Sequence, residues 1–462
     1  MAVSEVRDTA DNITSRLDNA LDRYVLILLA LALAALTLGG VGTPASVGPV
    51  GALLCAVGCA QRRAEADLWA VFPMVVYLLA GGVATYRVYG TITEGYVFAH
   101  AVLLAIYLLM ACLEEEELLL LRRLAALWAA GVAAAGVLQY IVRSLMGSTG
   151  RLGGILQNPN ALGIFLTVGY FTLQDCLPEA EEAGLLPKIL RRAEPVILTA
   201  LALTLSMGSF LAMAAGILAM LIRQRRRSTW KETFFFACRL LARASLGIGL
   251  GIMMYFTARH ARIPWLCLVM LGYLLALAAQ WETLERFLRT YRSAAAVIAG
   301  GGALVAAAAI AIRPSAIATF AERIKMMADG LSYIPDHLLL GLGPYQWRLY
   351  NLEGGGKYFN TWHIHNFLIH IAVELGIVAA LALLAVIFRH FWKTGAPVAA
   401  AFLVHGMIDT GFFYLGITAM ALVAAGEPRK GGRKLKGPAV RLLFAALFVL
   451  FLYCALYGRF HE

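Results

Sequence analysis

The chain has 462 residues, 61% of them hydrophobic, and a formal net charge of +11 from 39 basic and 28 acidic side chains. A soluble domain is ~45–50% apolar and a transmembrane helix needs ~20 mostly apolar residues, so this composition excludes a soluble enzyme, a single-anchor protein and a disordered tether. No stretch of mixed composition is long enough to build a large extramembrane domain.

In chain order, residues Met1–Arg23 are polar and lack a cleavable signal peptide, and Ile13, Leu17, Ala20 and Leu21 fall on one face of a short interfacial helix. Apolar spans follow at Tyr24–Val41, Ser46–Ala60, Leu68–Val88, Tyr96–Cys112, Leu124–Val142 and Ala161–Gln174. Pro195–Ile222 lies between two basic clusters, so the positive-inside rule favours a hairpin turning at Ser206-Met207-Gly208-Ser209 over one helix. Further spans are expected at Ser245–Thr257, Pro264–Gln280, Ser293–Ile312, His365–Phe388 and Val440–Tyr457. Pro397–Gly426 is either one span or a second hairpin around Asp409.

This predicts an all-α polytopic integral membrane bundle of about 12–15 spans. It divides into an interfacial segment (1–23), a transmembrane bundle (24–312), an outer loop with an amphipathic helix (313–364) and C-terminal membrane helices (365–462). With the N-terminus inside, the basic clusters at 62–63, 122–123, 191–192, 223–227, 286–292 and 389–393 all fall on the cytoplasmic side. The positive charge thus sets topology, and no segment interleaves it with aromatics as a nucleic-acid surface would. Seven cysteines, Cys55 and Cys59 in an apolar run among them, read as small packing residues and not as a disulfide framework or zinc site.

Chemistry is expected where arginine breaks the topological rule. Arg87, Arg143, Arg151, Arg313, Arg323 and Arg348 map to the outer face. Snorkelling accounts for Arg87 and Arg143. Arg151 sits in a Gly-rich stretch, and Arg323 lies on a segment where Ile317, Phe320, Ile324 and Leu331 mark an opposite apolar face. Guanidinium groups gathered at membrane level suit a phosphate-bearing lipid. The run Trp362-His363-Ile364-His365-Asn366-Phe367, with His370 and Glu374 beyond it, offers either a lone imidazole base or helix-end packing. It contains no H-x3-H pair, so no metal site is expected. Asn158-Pro159-Asn160 marks a shaped turn into a span, with Asn160 as a good N-cap.

Together these segments resemble the bacterial O-antigen ligase and O-antigen polymerase family of polytopic glycosyltransferases. The resemblance rests on Arg151…Asn158-Pro159-Asn160, on Arg323 followed by Gly341-Leu342-Gly343-Pro344, on His365-Asn366 with Glu374 and Gly376, and on His405 and Asp409. It implies a GT-C-like fold in the bacterial cytoplasmic membrane and an outward-facing site. The implied donor is an undecaprenyl-diphosphate-linked glycan, and the acceptor is a lipid or glycan hydroxyl. The implied reaction inverts at the sugar and uses neither metal nor cofactor. On these positions the resemblance makes His365 the base, Arg323 and Arg151 the diphosphate holders, and His363, Asn366, Asn158 and Asn160 pocket residues. The family's Ser-Arg-Gly turn reads Ser206-Met207-Gly208-Ser209 here, so either Arg348, Arg313 or Arg87 supplies that cation from another segment or the donor is held differently. Ligase, polymerase and protein O-glycosylating variants stay open. A lipid or solute transporter with broken helices is the reading from another class.

Overall fold

The structure is a computed structural model and describes residues 21–38, 44–61, 64–177, 184–311, 314–355, 358, 361–394, 397–428 and 432–461. The expected interfacial helix within 1–23 and the candidate Arg313 lie outside the described residues, apart from 21–23. Nearly all the rest is helical. The helices are α1 (21–37), α2 (Pro44–Ala60), α3 (Leu68–Tyr89), α4 (Val97–Met110), α5 (Glu115–Leu145), α6 (Pro159–Cys176), α7 (Leu185–Thr204), α8 (Met207–Arg225), α9 (Trp230–Arg259) and α10 (Leu266–Ala279). They continue as α11 (Trp281–Thr290), α12 (Arg292–Ala311), α13 (Pro314–Ser332), α14 (Gln346–Glu353), α15 (Phe367–Leu375), α16 (Ile377–Thr394), α17 (Pro397–Gly406), α18 (Leu415–Ala425) and α19 (Gly437–His461).

By length and apolarity, five described helices can cross a membrane (α3, α5, α8, α9 and the Gly437–Tyr457 part of α19). A sixth forms if α10 and α11, bent by 63°, count as one span. Five shorter apolar helices of 10–17 residues accompany them. These are the helices of a multi-pass membrane protein, and large apolar side chains such as Leu79, Val269, Leu275, Leu442 and Val449 stand exposed on their outer faces.

A helix that is apolar all round is either enclosed by other helices or faces lipid across the membrane. Two are enclosed: every residue of α4 is buried, and α6 is buried from Ala161 through Leu173. Helix α6 packs against α5, α7, α8, α17 and α18, and α4 against α2, α3, α18 and α19. Small residues let backbones approach, as expected where lipid removes the hydrophobic drive between helices. Gly51 and Gly58 of α2 face the rings of Phe451 and Phe444 of α19, and Gly48 faces Ala455.

Three chain breaks position the site. The first hairpin turns where predicted: Leu205 takes φ 47°, and the Ser206 hydroxyl accepts from Ser209 N at 3.3 Å. The 397–426 segment is also a hairpin, with α17 and α18 separated by a turn that contains Asp409. The third break differs from the sequence expectation. The span His365–Phe388 is interrupted at Gly376, which takes φ 86° and ψ 170°, a conformation essentially confined to glycine. Here the loop 338–343 runs along the end of α15. Leu342 N donates to Val373 O and Gly343 N to Glu374 O, each at 2.8 Å. A Cβ on Gly376 would overlap the Leu339 carbonyl, and one on Gly341 would overlap the Glu374 carbonyl.

At the opposite end of the bundle, two-residue strands β1 (Ala66–Asp67) and β2 (Lys434–Leu435) pair antiparallel, and Arg389 clasps the buried Asp67 carboxylate at 2.6 and 2.8 Å.

Candidate active site

Three distant segments converge on Asp409, which is 3% exposed in the turn after α17. Arg323, from α13, donates from Nη1 to the Ile408 carbonyl at 2.6 Å and lies 3.1 Å from Asp409 Oδ2. His365, just before α15, places Nδ1 3.6 Å from Asp409 Oδ1. That oxygen is fixed in turn by Thr410 N at 2.8 Å. A carboxylate behind one ring nitrogen favours the proton there and leaves Nε2 as the basic nitrogen. The contact is long for a hydrogen bond, as catalytic contacts often are before substrate arrives. Burial raises the Asp409 pKa, but the neighbouring His365, His405 and Arg323 outweigh it and hold the carboxyl below the usual carboxylate range.

Arg151 and Asn160 meet in the structure. Arg151 donates from Nε to the Thr204 carbonyl at 2.8 Å and from Nη2 to Asn160 Oδ1 at 2.6 Å. The N-cap of α6, however, is Asn158 and not Asn160. Its Oδ1 accepts from Asn160 N at 2.9 Å and from Ala161 N at 3.2 Å, with Pro159 in the first helical position. Capping by Asn158 frees the Asn160 side chain for Arg151. Asn158 Nδ2 also donates to the Tyr414 hydroxyl at 3.1 Å, which ties this turn to the end of the Asp409 turn. The Ser206–Ser209 turn packs alongside: Ser209 Oγ reaches Asn160 O at 3.5 Å, and a Cβ on Gly208 would lie 3.5 Å from the His405 ring.

A second histidine network lies beside His365. His370 Nδ1 accepts the Ile364 N–H at 3.2 Å. A neutral imidazole has one N–H, so the His370 proton sits on Nε2, between His363 Nδ1 at 3.0 Å and Glu374 Oε2 at 3.1 Å. His363 Nδ1 is then an acceptor, and its own proton is on Nε2. Glu374 Oε2 also accepts from Tyr96 OH at 3.0 Å and Tyr345 N at 2.9 Å. The latter bond holds Tyr345 at φ 60°. The His363 ring stacks on Phe413 with centroids 3.9 Å apart.

Burial first, then the neighbouring imidazoles of His370, His365 and His100, push the His363 pKa well down. Below an unfolded-state value of about 6.5 the unfolded chain then binds this proton more readily than the folded one. The contribution of His363 to stability is therefore complete above that value and is lost as pH falls below it. His363→Gln is expected to reduce the drop in melting temperature between about pH 7.5 and about pH 5. An unchanged drop, followed by intrinsic fluorescence, would remove His363 from the pH response.

The remaining candidates divide. Asn366 caps α15, accepting from Ile369 N at 3.1 Å, and is buried in that role. Arg87 donates to the Gly341 carbonyl, so it clamps the outer loop instead of standing open as an anchor. Arg348 stacks its guanidinium 3.3 Å over Trp362, whose ring meets Tyr345 and through it Tyr96. Both candidate cations are thus engaged on the outer-loop side, Arg87 with the Gly341 carbonyl and Arg348 with the Trp362 ring. On α13, Phe320, Ile324 and Leu331 are exposed as their apolar spacing predicts, while Ile317 has no described side chain. The residues that the histidine pattern alone did not find are Tyr96 and Tyr345, whose roles follow from contacts across 278 and 29 positions.

An apolar cavity of about 110 Å³ lies between α3, α4, α16, α17 and α18. Met74, Leu103, Leu383 and Leu422 line it, with His100 and Phe412 at the end next to the aromatic cluster and His390 toward the other. Among the described residues, no three His, Cys, Asp or Glu side chains are placed to hold one metal ion. Comparison with known families finds no matching family model, and comparison with curated proteins finds no match.

Proposed function

We propose that this protein is a membrane glycosyltransferase that moves a glycan from undecaprenyl diphosphate to an acceptor hydroxyl at the outer face of the bacterial cytoplasmic membrane, with O-antigen ligase-like chemistry and a GT-C-like fold. The observation that carries the reading is the shared carboxylate. Asp409 joins a cation and an imidazole drawn from segments 42 and 44 residues apart along the chain, Arg323 to His365 and His365 to Asp409. A structural ion pair needs one arginine and one carboxylate. The half-buried histidine on the other oxygen makes the group a base with its orienting acid, beside a guanidinium.

In the proposed reaction His365 Nε2 takes the acceptor proton, and the acceptor oxygen attacks the anomeric carbon opposite the diphosphate. The bond from that carbon to the diphosphate oxygen breaks, and undecaprenyl diphosphate departs with the electron pair. Only Nη1 of Arg323 is engaged by protein, so Nε and Nη2 have no protein partner among the described residues and can meet the growing phosphate charge. Arg151, held by Thr204 and Asn160, is the second diphosphate contact. The apolar cavity beside the aromatic cluster suits part of a hydrocarbon chain. The basic clusters of the opposite end, by the positive-inside rule, put that end in the cytoplasm.

The test is to incubate purified protein with an undecaprenyl-diphosphate glycan and candidate acceptors. A single shifted acceptor band is the expected product. A ladder would make the enzyme a polymerase of the same chemistry, and no transfer to any acceptor would overturn the proposal.

A further inference from the structure

A cluster of guanidinium groups lies at the other end of the bundle, where α9, α11 and α12 meet. Phe235, Arg239 and Arg243 are spaced one helical turn apart and share a face of α9. Arg292, at the start of α12, lies 4.6 Å over the Phe235 ring, which sets it beside Arg239. Arg289 of α11 completes the group within electrostatic reach of Arg239.

The carboxylates present do not balance these charges. Glu194 Oε1 is 3.4 Å from Arg243 Nε, and its Oε2 accepts from Trp281 Nε1 at 3.1 Å. Glu285 Oε1 is divided between Arg243 at 3.4 Å and Arg289 at 2.6 Å. Glu282 pairs instead with Arg191 at 3.9 Å. Four guanidinium groups (Arg239, Arg243, Arg289, Arg292) therefore face two carboxylates (Glu194, Glu285), a surplus of two charges. Arg239 and Arg292 are the two of these four without an ion pair among the described residues.

Helix α11 bends away from α10 by 63°, and Phe287, Tyr291 and Trp230 stand exposed around the cluster, as interfacial aromatics do at headgroup level. A surface loop would leave its charges to water. These two sit on helix walls next to apolar and aromatic groups, Arg292 over the Phe235 ring.

We propose that the α9–α11–α12 junction binds the phosphate of an anionic phospholipid, through Arg239 and Arg292, in the leaflet opposite the candidate active site. Guanidinium offers phosphate two parallel N–H donors, and the diester charge offsets the surplus. This site does not depend on the glycosyl-transfer reading, and its test uses no activity.

The full-length protein, purified in a neutral detergent, is mixed with phosphatidylglycerol, phosphatidylcholine or inorganic phosphate. Bound lipid is counted by native mass spectrometry, and the melting temperature is recorded in parallel. Phosphatidylglycerol is expected to be retained and to raise the melting temperature, with phosphatidylcholine and inorganic phosphate giving neither effect. The double variant Arg239→Gln/Arg292→Gln is expected to bind phosphatidylglycerol roughly thirtyfold more weakly, from about one charge contact per arginine. It keeps the Glu194–Arg243–Glu285–Arg289 pairs, so its lipid-free melting temperature should match the parent. If the double variant does not fold, Arg292→Gln alone, at an exposed position, is expected to show part of the same loss. Equal retention of phosphatidylcholine, or unchanged phosphatidylglycerol affinity in the variants, would overturn the site. Inorganic phosphate acting as strongly as phosphatidylglycerol would overturn a lipid as the source.

Discussion

His365→Ala is expected to cut glycan transfer by about 10²–10⁴-fold while leaving expression and melting temperature close to those of the parent. The magnitude is that of a lost general base. The small stability effect follows from geometry: the ring is partly exposed, and its contact with Asp409 at 3.6 Å is too long to carry much folding energy. Removing it also leaves the Asp409 carboxylate with Arg323 and Thr410, so no buried charge is orphaned. Asp409→Asn is expected to follow the same direction with a smaller loss, because His365 would remain but lose the partner that selects its tautomer. The pair is measured as kcat and KM for the transferred glycan. Retained activity in His365→Ala would sink the assignment of the base.

Arg323→Lys is expected to lose about 10²–10³-fold in kcat, the scale of a removed transition-state donor. One nitrogen of Arg323 already serves Ile408 and Asp409, and the other two remain for the leaving diphosphate. An ammonium is a point charge at the end of a flexible stem and cannot occupy both places at once. Its single nitrogen would satisfy the buried carboxylate first, since an uncompensated buried charge costs several kcal/mol. The variant should therefore fold, bind the donor weakly and turn over slowly. Near-parental kcat would show that Arg323 only holds the Asp409 turn.

The all-helical membrane architecture was legible because apolar runs and basic loops carry it in one dimension. The Ser206 hairpin was legible for the same reason, since only a turn there keeps Arg191-Arg192 and Arg223–Arg227 on one side. The length of each helix was less so: α9 runs 30 residues where the apolar core of the segment is much shorter, because its first turns are amphipathic and rest on α11 and α12. Arg323, His365, Arg151 and Asn160 could be picked out as candidates by residue type and place. Their partners could not. The sequence reading took Asn160 as the cap of α6, but Pro159 occupies the first helical position, so Asn158 caps and Asn160 is left to meet Arg151.

The break at Gly376 shows the boundary most clearly. The apolar run His365–Phe388 reads as one span, and Gly376 within it enters the sequence reading only through the family resemblance. Folding places the 338–343 loop against the end of α15, where only a residue without a Cβ fits, and the helix is interrupted there. The interruption sets Glu374 under Tyr345 and His370. Sequence by itself determined that this chain is a multi-pass helical membrane protein and which residue types were candidates for chemistry, because those depend on composition and spacing along the chain. Tertiary structure decided that Asp409 is the residue where Arg323 and His365 meet, because a contact between groups more than 40 residues apart is set by how helices pack and not by any period in the sequence.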